Sequence, residues 1–358
     1  MTTVPVGERN VGLSAEIDAR LNTFFAERIA VSAQYGSDYE RLWAQAAAAS
    51  DGGKRIRPRF VLSAFEAFGG SDADAAAAVD VAVAFELLHT AFLLHDDVID
   101  RDTVRRGRLN LSGSFASDAV AAGVSGDRAR LWGEAAAILA GDLLIHSSQS
   151  FVARLDLAAD VRGALLDVLD HSILVTAAGE LADVSFSIGM TEARLPDILA
   201  MTERKTATYS FAGPLSAGAI LAGADGDALA VLAEYGRLLG VAFQLGDDLL
   251  GVFGAEDVTG KSVVSDLREG KETSLIAYAR ATAWWPEIGA LFGRRDLTDT
   301  EGRSLADALE VCGARSFVEN LVDDYAGRAI ALVETSGLPA ALGDELARVA
   351  RSCVGRIS

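Results

Sequence analysis

The stretch Glu86-Leu-Leu-His-Thr-Ala-Phe-Leu-Leu-His-Asp-Asp-Val-Ile-Asp100 decides the fold class of this chain. It closes a long apolar run whose large side chains recur at helical spacing, and no proline or glycine interrupts it. Successive residues of a helix turn by about 100°, so the stripe along one side of it contains His89, Phe92, Asp96 and Asp100, with Asp97 beside it. The pattern predicts a core helix that ends in carboxylates facing one space.

Carboxylates clustered in this way indicate a bound cation. Without one they repel each other, and their burial is costly. A hard divalent metal, most simply Mg²⁺, removes that cost when it is shared between the carboxylates and a phosphate group. A solvated helix end would explain most lone acidic pairs, but the apolar run before the aspartates and the basic segment Arg105-Arg106-Gly107 after them argue against it here.

The composition of the 358-residue chain favours an all-α fold. Half of the residues are hydrophobic, which allows a sizeable core, and only six are proline. No set of short alternating segments separated by turns predicts a sheet. The polar, glycine-bearing segment 101–130 is long enough to be a lid or binding loop. Residues 195–223 form a helical pattern bent at Gly213-Pro214.

Charge and cysteine content exclude several classes of function. The net charge of −19 argues against a nucleic-acid partner, so an anionic substrate must be held by local cations and metal. The two cysteines have neither metal-binding nor redox spacing. The N-terminus lacks a signal-peptide pattern, and no apolar run reaches the ~18 residues that span a bilayer. We therefore expect a cytoplasmic protein without a transmembrane segment.

A second acidic cluster, Gln244-Leu-Gly-Asp-Asp248, lies on another apolar helix, which runs from residue 226 to about 253. Two aspartate clusters on different helices could face each other across a bundle. Together they would hold several metal ions on one diphosphate and neutralise the charge that develops as its C–O bond ionises.

With these residues in view, the chain resembles the trans-isoprenyl diphosphate synthases (polyprenyl synthetases) from about residue 15 to 350. The family's motifs occur in its order and spacing: Gly53-Lys54-Arg55-x-Arg57-Pro58, His89, Asp96-Asp97-x-x-Asp100, Arg105-Arg106-Gly107, Lys205-Thr206, Gln244-x-x-Asp247-Asp248, Gly260-Lys261 and Lys271. The segments 98–107 and 205–211 resemble bacterial geranylgeranyl diphosphate synthases of carotenoid pathways.

The resemblance implies a role for each motif. The metal-binding residues would be Asp96, Asp97, Asp100, Asp247 and Asp248, with three Mg²⁺ ions per site. The cations on the allylic diphosphate would be Arg105, Lys205 and Lys261. The residues holding isopentenyl diphosphate would be Lys54, Arg57, His89 and Arg106. Lys271 would also bind substrate, although it and Arg55 could instead be surface charges. Lys205, Thr206 and Gln244 would act catalytically, the last two beside the allylic cation.

The expected fold is a single domain over residues 13–358, after a flexible arm over 1–12. It would be an all-α bundle of ten or more helices around a central cavity, the isoprenoid synthase fold, and a homodimer. The expected reaction condenses isopentenyl diphosphate with dimethylallyl, geranyl or farnesyl diphosphate to give geranylgeranyl diphosphate. The alternatives are a synthase of longer chains or of farnesyl diphosphate, a class I terpene cyclase, and the regulatory subunit of a heteromeric synthase. A cyclase would need no second set of diphosphate-binding cations.

Product length and two further positions follow from the same resemblance. The growing chain would pass Ala91 and Phe92, with Leu88 one turn further down as a possible floor, and the small Ala91 favours twenty carbons. The family's second motif commonly ends in a third aspartate, where this chain has Gly251. Asp183 matches a position that often lines the allylic pocket.

Overall fold

The computed structural model describes residues 6–254 and 265–355. The all-α prediction is confirmed, and the described residues contain more than ten α-helices. The helices that precede the first acidic cluster and carry it are α1 Val6–Ser32, α2 Ser37–Ser50, α3 Ile56–Ala67 and α4 Ala75–Ile99. Two short strands follow, β1 Val104–Arg105 and β2 Arg108–Leu109.

The remaining elements are also helical. They are α5 Leu111–Ala121, α6 Gly126–Ala153, α7 Ala159–Ser187, α8 Leu195–Thr202, a π-helical segment Glu203–Ala212, α9 Gly213–Leu221, α10 Gly226–Phe253, α11 Ser265–Glu269, α12 Ser274–Arg280, α13 Trp285–Leu291, α14 Asp299–Val311, α15 Ala314–Thr335 and α16 Ala340–Val354. Single turns of 3₁₀ helix lie at Ala33–Tyr35 and Asp72–Asp74.

Contacts divide the chain into two compact units. The first contains the residues up to Asp170 together with Pro214–Asp225, and the second contains His171–Gly213 and the residues from Gly226 onward. The single domain expected over 13–358 stays a prediction. Helix α1 already begins at Val6, so part of the stretch 1–12 is helical.

Helix α4 is the core element of the first unit. Its residues 81–88 are all buried, and it packs against α6 and α3. Seven of these eight residues are alanine, valine, phenylalanine or leucine, with Glu86 the exception, so this part of the helix is apolar nearly all round. Gly141 of α6 lies against the His95 ring, where a side chain would collide with it. The close approach of α6 thus fixes the end of α4 that carries the aspartates.

The segment 101–130 is not the loop that its polarity suggested. Strands β1 and β2 form a hairpin whose two-residue turn, Arg106-Gly107, has both φ angles positive. Asn110 then caps α5 by accepting a hydrogen bond from the Gly113 N–H at 2.8 Å, and its amide donates to the Asp102 carbonyl at 2.7 Å. A sequence-based interpretation missed α5 because it is short and its large apolar residues are few, although the asparagine cap marks its start.

Helix α10 is the core element of the second unit, where it packs against α15 and the π-helical segment. Gly236 and Gly240 face Ala212 and Ala207 of that segment so closely that a side chain on either glycine would collide. Gln244 follows at the same four-residue spacing, so it lies on the α10 face turned toward the π-helical segment. The two glycines therefore bring this segment beside the second acidic cluster.

Three helices in the described part of the chain are long and apolar enough to cross a membrane by length and composition: Asp72–Ile99, Gly126–Ala153 and Gly226–Phe253. The shares of their most apolar windows buried inside the protein are 72%, 44% and 50%. Burial in the protein core accounts for much of their apolar character.

Candidate active site

The first acidic cluster lies at the end of α4 and is bridged by an arginine. Arg105 of β1 donates from Nε to Asp97 Oδ1 at 2.8 Å and from Nη2 to Asp96 Oδ2 at 3.2 Å. Asp97 is 2% exposed, and this burial raises its pKa against the opposing effect of Arg105. Burial lowers the pKa of Arg105, but its hydrogen bond and ion pair with Asp97 outweigh this and raise it. The guanidinium thus holds both carboxylates in place.

The three predicted aspartates differ in accessibility. The Asp96 side chain is 27% exposed, and Asp100, the residue that ends the helix, is exposed. The Asp97 side chain is only 3% exposed. Asp96 and Asp100 are therefore open to a cation from solvent, while Asp97 lies behind them against Arg105.

Several arginines, Arg105 among them, lie around His89. Arg106 donates to the Asp51 carbonyl at 2.8 Å and covers Gly52 and Gly53, whose φ angles of 77° and 86° suit glycine. Desolvation, and then the charges of Arg57, Arg106, Arg105 and Arg55, lower the pKa of His89 well below its ordinary value of 6.5. Exposed Lys54 follows the two glycines. Of the predicted residues, Arg57, His89 and Arg106 thus belong to one positively charged region of the first unit, and Lys54 is adjacent in sequence to the glycines that Arg106 covers.

Arg55 is part of the structure's interior and not a surface charge. Its side chain is 14% exposed. It donates to Glu86 Oε1 at 2.6 Å, to the Ser50 carbonyl at 2.8 Å and to Asp18 Oδ1 at 3.0 Å. The arginine therefore ties α1, α2 and α4 together beneath the Gly52-Gly53 turn. A signal for this was available, because Glu86 is an acidic residue inside an apolar run.

The residues proposed to set product length lie at different depths. Ala91 and Leu88 are fully buried, whereas Phe92 is partly buried on the stripe that ends in Asp96. His95 is held on the other side, with its Nε2 at 3.3 Å from the Ile138 carbonyl and 3.4 Å from Asp142 Oδ1. Of Leu88, Ala91 and Phe92, Phe92 is therefore the most accessible.

In the second unit, Lys205 lies on the π-helical segment and is held by two carboxylates of α7. Its Nζ is 2.7 Å from Asp183 Oδ2 and 2.9 Å from Glu180 Oε2. Gly179 allows this, because a side chain there would collide with the backbone at Lys205. The segment forms the middle of the helix predicted over 195–223, between α8 and α9. Pro214 disfavours a regular α-helix there, since proline lacks an N–H and its ring clashes with the carbonyl four residues earlier.

Thr206 and the second acidic cluster form a continuous series of hydrogen bonds. The Thr206 hydroxyl donates to Gln244 Oε1 at 2.9 Å, and Gln244 Nε2 donates to Asp248 Oδ1 at 3.0 Å. Lys271 Nζ lies 3.7 Å from the same Asp248 oxygen. Burial raises the pKa of Asp248. Burial lowers the pKa of Lys271, but the charges of Asp248 and its acidic neighbours outweigh this and raise it. Lys271 is therefore an ion-pair partner and not an isolated surface charge.

The position of Gly251 reveals an acidic residue that the motif analysis missed. A Cβ at Gly251 would lie 2.6 Å from Asp266 Oδ2. The Asp266 carboxylate thus occupies space beside the position where the motif of the family that this chain resembles commonly ends in a third aspartate. Its charge also raises the pKa of both Asp248 and Lys271. Lys261, predicted to bind the allylic diphosphate, lies outside the described residues.

Among the described residues, the aspartates do not enclose a metal ion by themselves. Within residues 6–254 and 265–355, no three His, Cys, Asp or Glu side chains converge to enclose an ion. Mg²⁺ in phosphate-handling sites commonly takes one or two carboxylates, waters and substrate phosphate oxygens, and does not require an all-protein cage. The accessible pair Asp96 and Asp100, and separately Asp247, fit that chemistry.

Acidic helix ends combined with clustered cations in an all-α fold favour a protein that handles diphosphates with metal. Comparison with known proteins agrees, since the polyprenyl synthetase family matches residues 43–296. A (2E,6E)-farnesyl diphosphate synthase of Mycobacterium tuberculosis is 34% identical over 85% of this chain and 80% of its own length. A geranylgeranyl diphosphate synthase of Methanosarcina mazei is 34% identical over 76% and 77%.

A solved structure supports the same assignment. It is a geranylgeranyl pyrophosphate synthase from Corynebacterium glutamicum, complexed with isoprenyl diphosphate and magnesium. It superposes with a TM-score of 0.87 at 27% identity over 96% of this chain and 98% of its own. The chain belongs to the polyprenyl synthetase family, whose members are metal-dependent trans-prenyltransferases acting on isoprenyl diphosphates. It is therefore a transferase.

Proposed function

We propose that this protein extends dimethylallyl, geranyl and farnesyl diphosphates with isopentenyl diphosphate and that its product is geranylgeranyl diphosphate. The observation that carries the proposal is that Arg57 and Arg106 add positive charge around His89, besides the Arg105 that bridges the carboxylates. A terpene cyclase handles one diphosphate and needs no such second cationic region. An elongating enzyme handles two, and planar arginine groups suit the binding of a diphosphate.

The aspartates would hold Mg²⁺ on the allylic diphosphate, with three ions in the complete site. Asp96, Asp100 and Asp247 would contact metal, while the buried Asp97 and Asp248 would act beside them. When bound, Mg²⁺ would neutralise the negative charge that develops on the leaving diphosphate. Arg105, Lys205 and Lys261 would add fixed positive charge on the same diphosphate.

The protein's other groups would position the second substrate. Arg57, Arg106, Lys54 and His89 would bind isopentenyl diphosphate so that its double bond lies near the allylic carbon. The C–O bond of the allylic substrate breaks, a new C–C bond forms, and a proton leaves the former isopentenyl unit. The released diphosphate is the proposed base. The protein's contribution is therefore orientation and exclusion of water.

A twenty-carbon product is proposed because Ala91 is small at the position where bulk would stop a chain earlier. Relatives with equal identity carry the names of fifteen-carbon and twenty-carbon synthases, so similarity alone does not choose between them. The choice rests on the residues along α4.

We further propose a cytoplasmic homodimer. Helix α6 exposes Leu131, Ile138 and Leu139, which are 65%, 44% and 56% exposed and share one face. Helix α7 exposes Leu174 and Leu181 by 63% and 73% at a seven-residue spacing. Rows of large exposed apolar side chains are typical of surfaces that become buried in an assembly.

Incubation with Mg²⁺, isopentenyl diphosphate and each allylic starter tests the function, with chain lengths determined by chromatography. We expect all three starters to be extended to twenty carbons. Asp96→Asn should lower turnover at least ~100-fold, because it removes a charge that holds metal. Asp323→Asn, in an acidic pair on α15, is the matched control and should leave turnover unchanged. A cyclic hydrocarbon without isopentenyl incorporation, or activity that depends on a second subunit, would contradict the proposal.

A further inference from the structure

The hydrogen bonds that link Asp248, Gln244 and Thr206 have a fixed direction. Asp248 Oδ1 faces two donors, the Gln244 side-chain amide at 3.0 Å and Lys271 Nζ at 3.7 Å. A carboxylate oxygen between two donors can only accept. The Gln244 atom that faces Asp248 must therefore be its NH₂ group, and the atom that faces Thr206 must be its carbonyl oxygen.

This direction determines what the Thr206 hydroxyl can offer. A hydroxyl has one hydrogen and two lone pairs, and Thr206 gives its hydrogen to Gln244 Oε1 at 2.9 Å. In every other direction Thr206 Oγ1 presents lone pairs. With the amide reversed, the NH₂ group would face Thr206, and the hydroxyl hydrogen would be turned outward instead.

We propose that Asp248 is a positioning residue, which fixes the Gln244 amide so that Thr206 presents only lone pairs to the allylic cation. This inference rests on the proposed function, because it needs a substrate that ionises beside Thr206. Asp248 is 5% exposed and Thr206 9%, so the bonds between them are shielded from water and correspondingly strong. Lys271 compensates the buried charge of Asp248 and keeps it an acceptor.

The inference assigns different roles to Asp247 and Asp248, the two adjacent aspartates of the second motif. Asp247 is partly exposed, whereas Asp248 is buried and engaged by Gln244 and Lys271. Replacing Asp247 should change the requirement for metal. Replacing Asp248 should change the ionisation step while the metal requirement stays the same.

A double-mutant cycle between Asp248→Asn and Thr206→Val tests this, with release of diphosphate from the allylic substrate as the measurement. Asparagine can offer its own NH₂ to Gln244, so the amide is free to reverse. We expect Asp248→Asn to lower kcat about 30-fold alone but at most about 3-fold in the Thr206→Val background. The Mg²⁺ concentration at half-saturation should stay within about twofold, whereas Asp247→Asn should raise it about tenfold.

Glu345→Gln, a buried carboxylate on α16, is the matched control and should leave kcat unchanged. If Asp248→Asn does not fold, as judged by circular dichroism, Gln244→Met enters the same cycle with the same expected coupling. Equal losses with and without the Thr206 hydroxyl, or a raised Mg²⁺ requirement in Asp248→Asn, would overturn the inference. Coupled diphosphate release without isopentenyl incorporation would support it and contradict only the elongation reaction. No diphosphate release by the wild-type protein would contradict both.

Discussion

At the scale of single residues, the lowered pKa of His89 predicts how the stability of the folded protein depends on pH. Its pKa is lowered well below 6.5 by burial and by four arginines, so the folded protein holds it neutral near pH 7. The unfolded chain binds a proton there below about pH 6.5, and the folded chain does not. This residue therefore contributes stability that is fully present above pH 6.5 and is lost as the pH falls toward its lowered pKa.

The corresponding measurement is the free energy of unfolding at pH 7.5 and pH 5.5 for the wild type and for His89→Gln. The wild type should lose up to about 1.4 kcal/mol per pH unit more than the variant below pH 6.5. His146→Gln, on the exposed face of α6, is the control and should follow the wild type. Parallel pH profiles for wild type and His89→Gln would show that His89 titrates normally.

Two cations with different partners should serve different substrates. Arg57 belongs to the cluster around His89, and Lys205 is held by Asp183 and Glu180. Arg57→Ala should raise the KM for isopentenyl diphosphate roughly 10- to 100-fold, the effect of one charged hydrogen bond, with little change for the allylic substrate. Lys205→Ala should do the reverse. Steady-state kinetics with each substrate varied decides this, and identical effects of both changes would show the sites to be wrongly assigned.

The sequence patterns indicated which residues belong to the candidate site, but not which other residues those side chains contact. The spacing of Asp96, Asp97 and Asp100 predicted a common space for them, but their different burial depends on where β1 brings Arg105. Asp266 carried no motif signal, since its proximity to Gly251 arises from tertiary packing. Contacts between residues far apart in sequence are the part that residue spacing cannot supply.

At the scale of elements, we propose that α4 determines how far a growing chain extends. Ala91→Phe adds a ring at a fully buried position, and such overpacking costs about 1–3 kcal/mol. Because ~1.4 kcal/mol is a tenfold preference, products should shift from twenty toward fifteen carbons. Phe92→Ala should admit longer chains, since Phe92 lies on the Asp96 stripe. Chromatography of dephosphorylated products measures both, and unchanged lengths in both variants would locate the floor elsewhere, with Leu88 next to test.

Sequence patterns predict the long helices of this fold but not its short elements. Long apolar helices such as α4 and α10 were predictable because their composition leaves no alternative. Helix α5 and the hairpin of β1 and β2 were not, because a short element depends on caps and turn geometry more than on periodicity. The π-helical segment was missed as well, since its distinct hydrogen bonding leaves no periodic signal in ten residues.

At the scale of the whole molecule, the exposed apolar face of α6 should control assembly. Leu139→Glu places a charge on that face, and a charge is costly to bury in a dimer interface. We expect the variant to be a folded monomer where the wild type is a dimer, by light scattering after size-exclusion chromatography. Val311→Glu, at a 65%-exposed apolar residue of α14, is the matched control. A wild-type monomer would contradict the proposed homodimer, and a Leu139→Glu dimer of unchanged stability would contradict the assignment of its interface to α6.

The central claim is that this protein joins two diphosphate substrates, and one labelling experiment tests it most directly. The wild-type protein is incubated with farnesyl diphosphate, ¹³C-labelled isopentenyl diphosphate and Mg²⁺, and the products are dephosphorylated and analysed by mass spectrometry. The account predicts a linear twenty-carbon alcohol that carries one labelled five-carbon unit. Unlabelled farnesol or a cyclic hydrocarbon as the only product, with no label transferred, would contradict it.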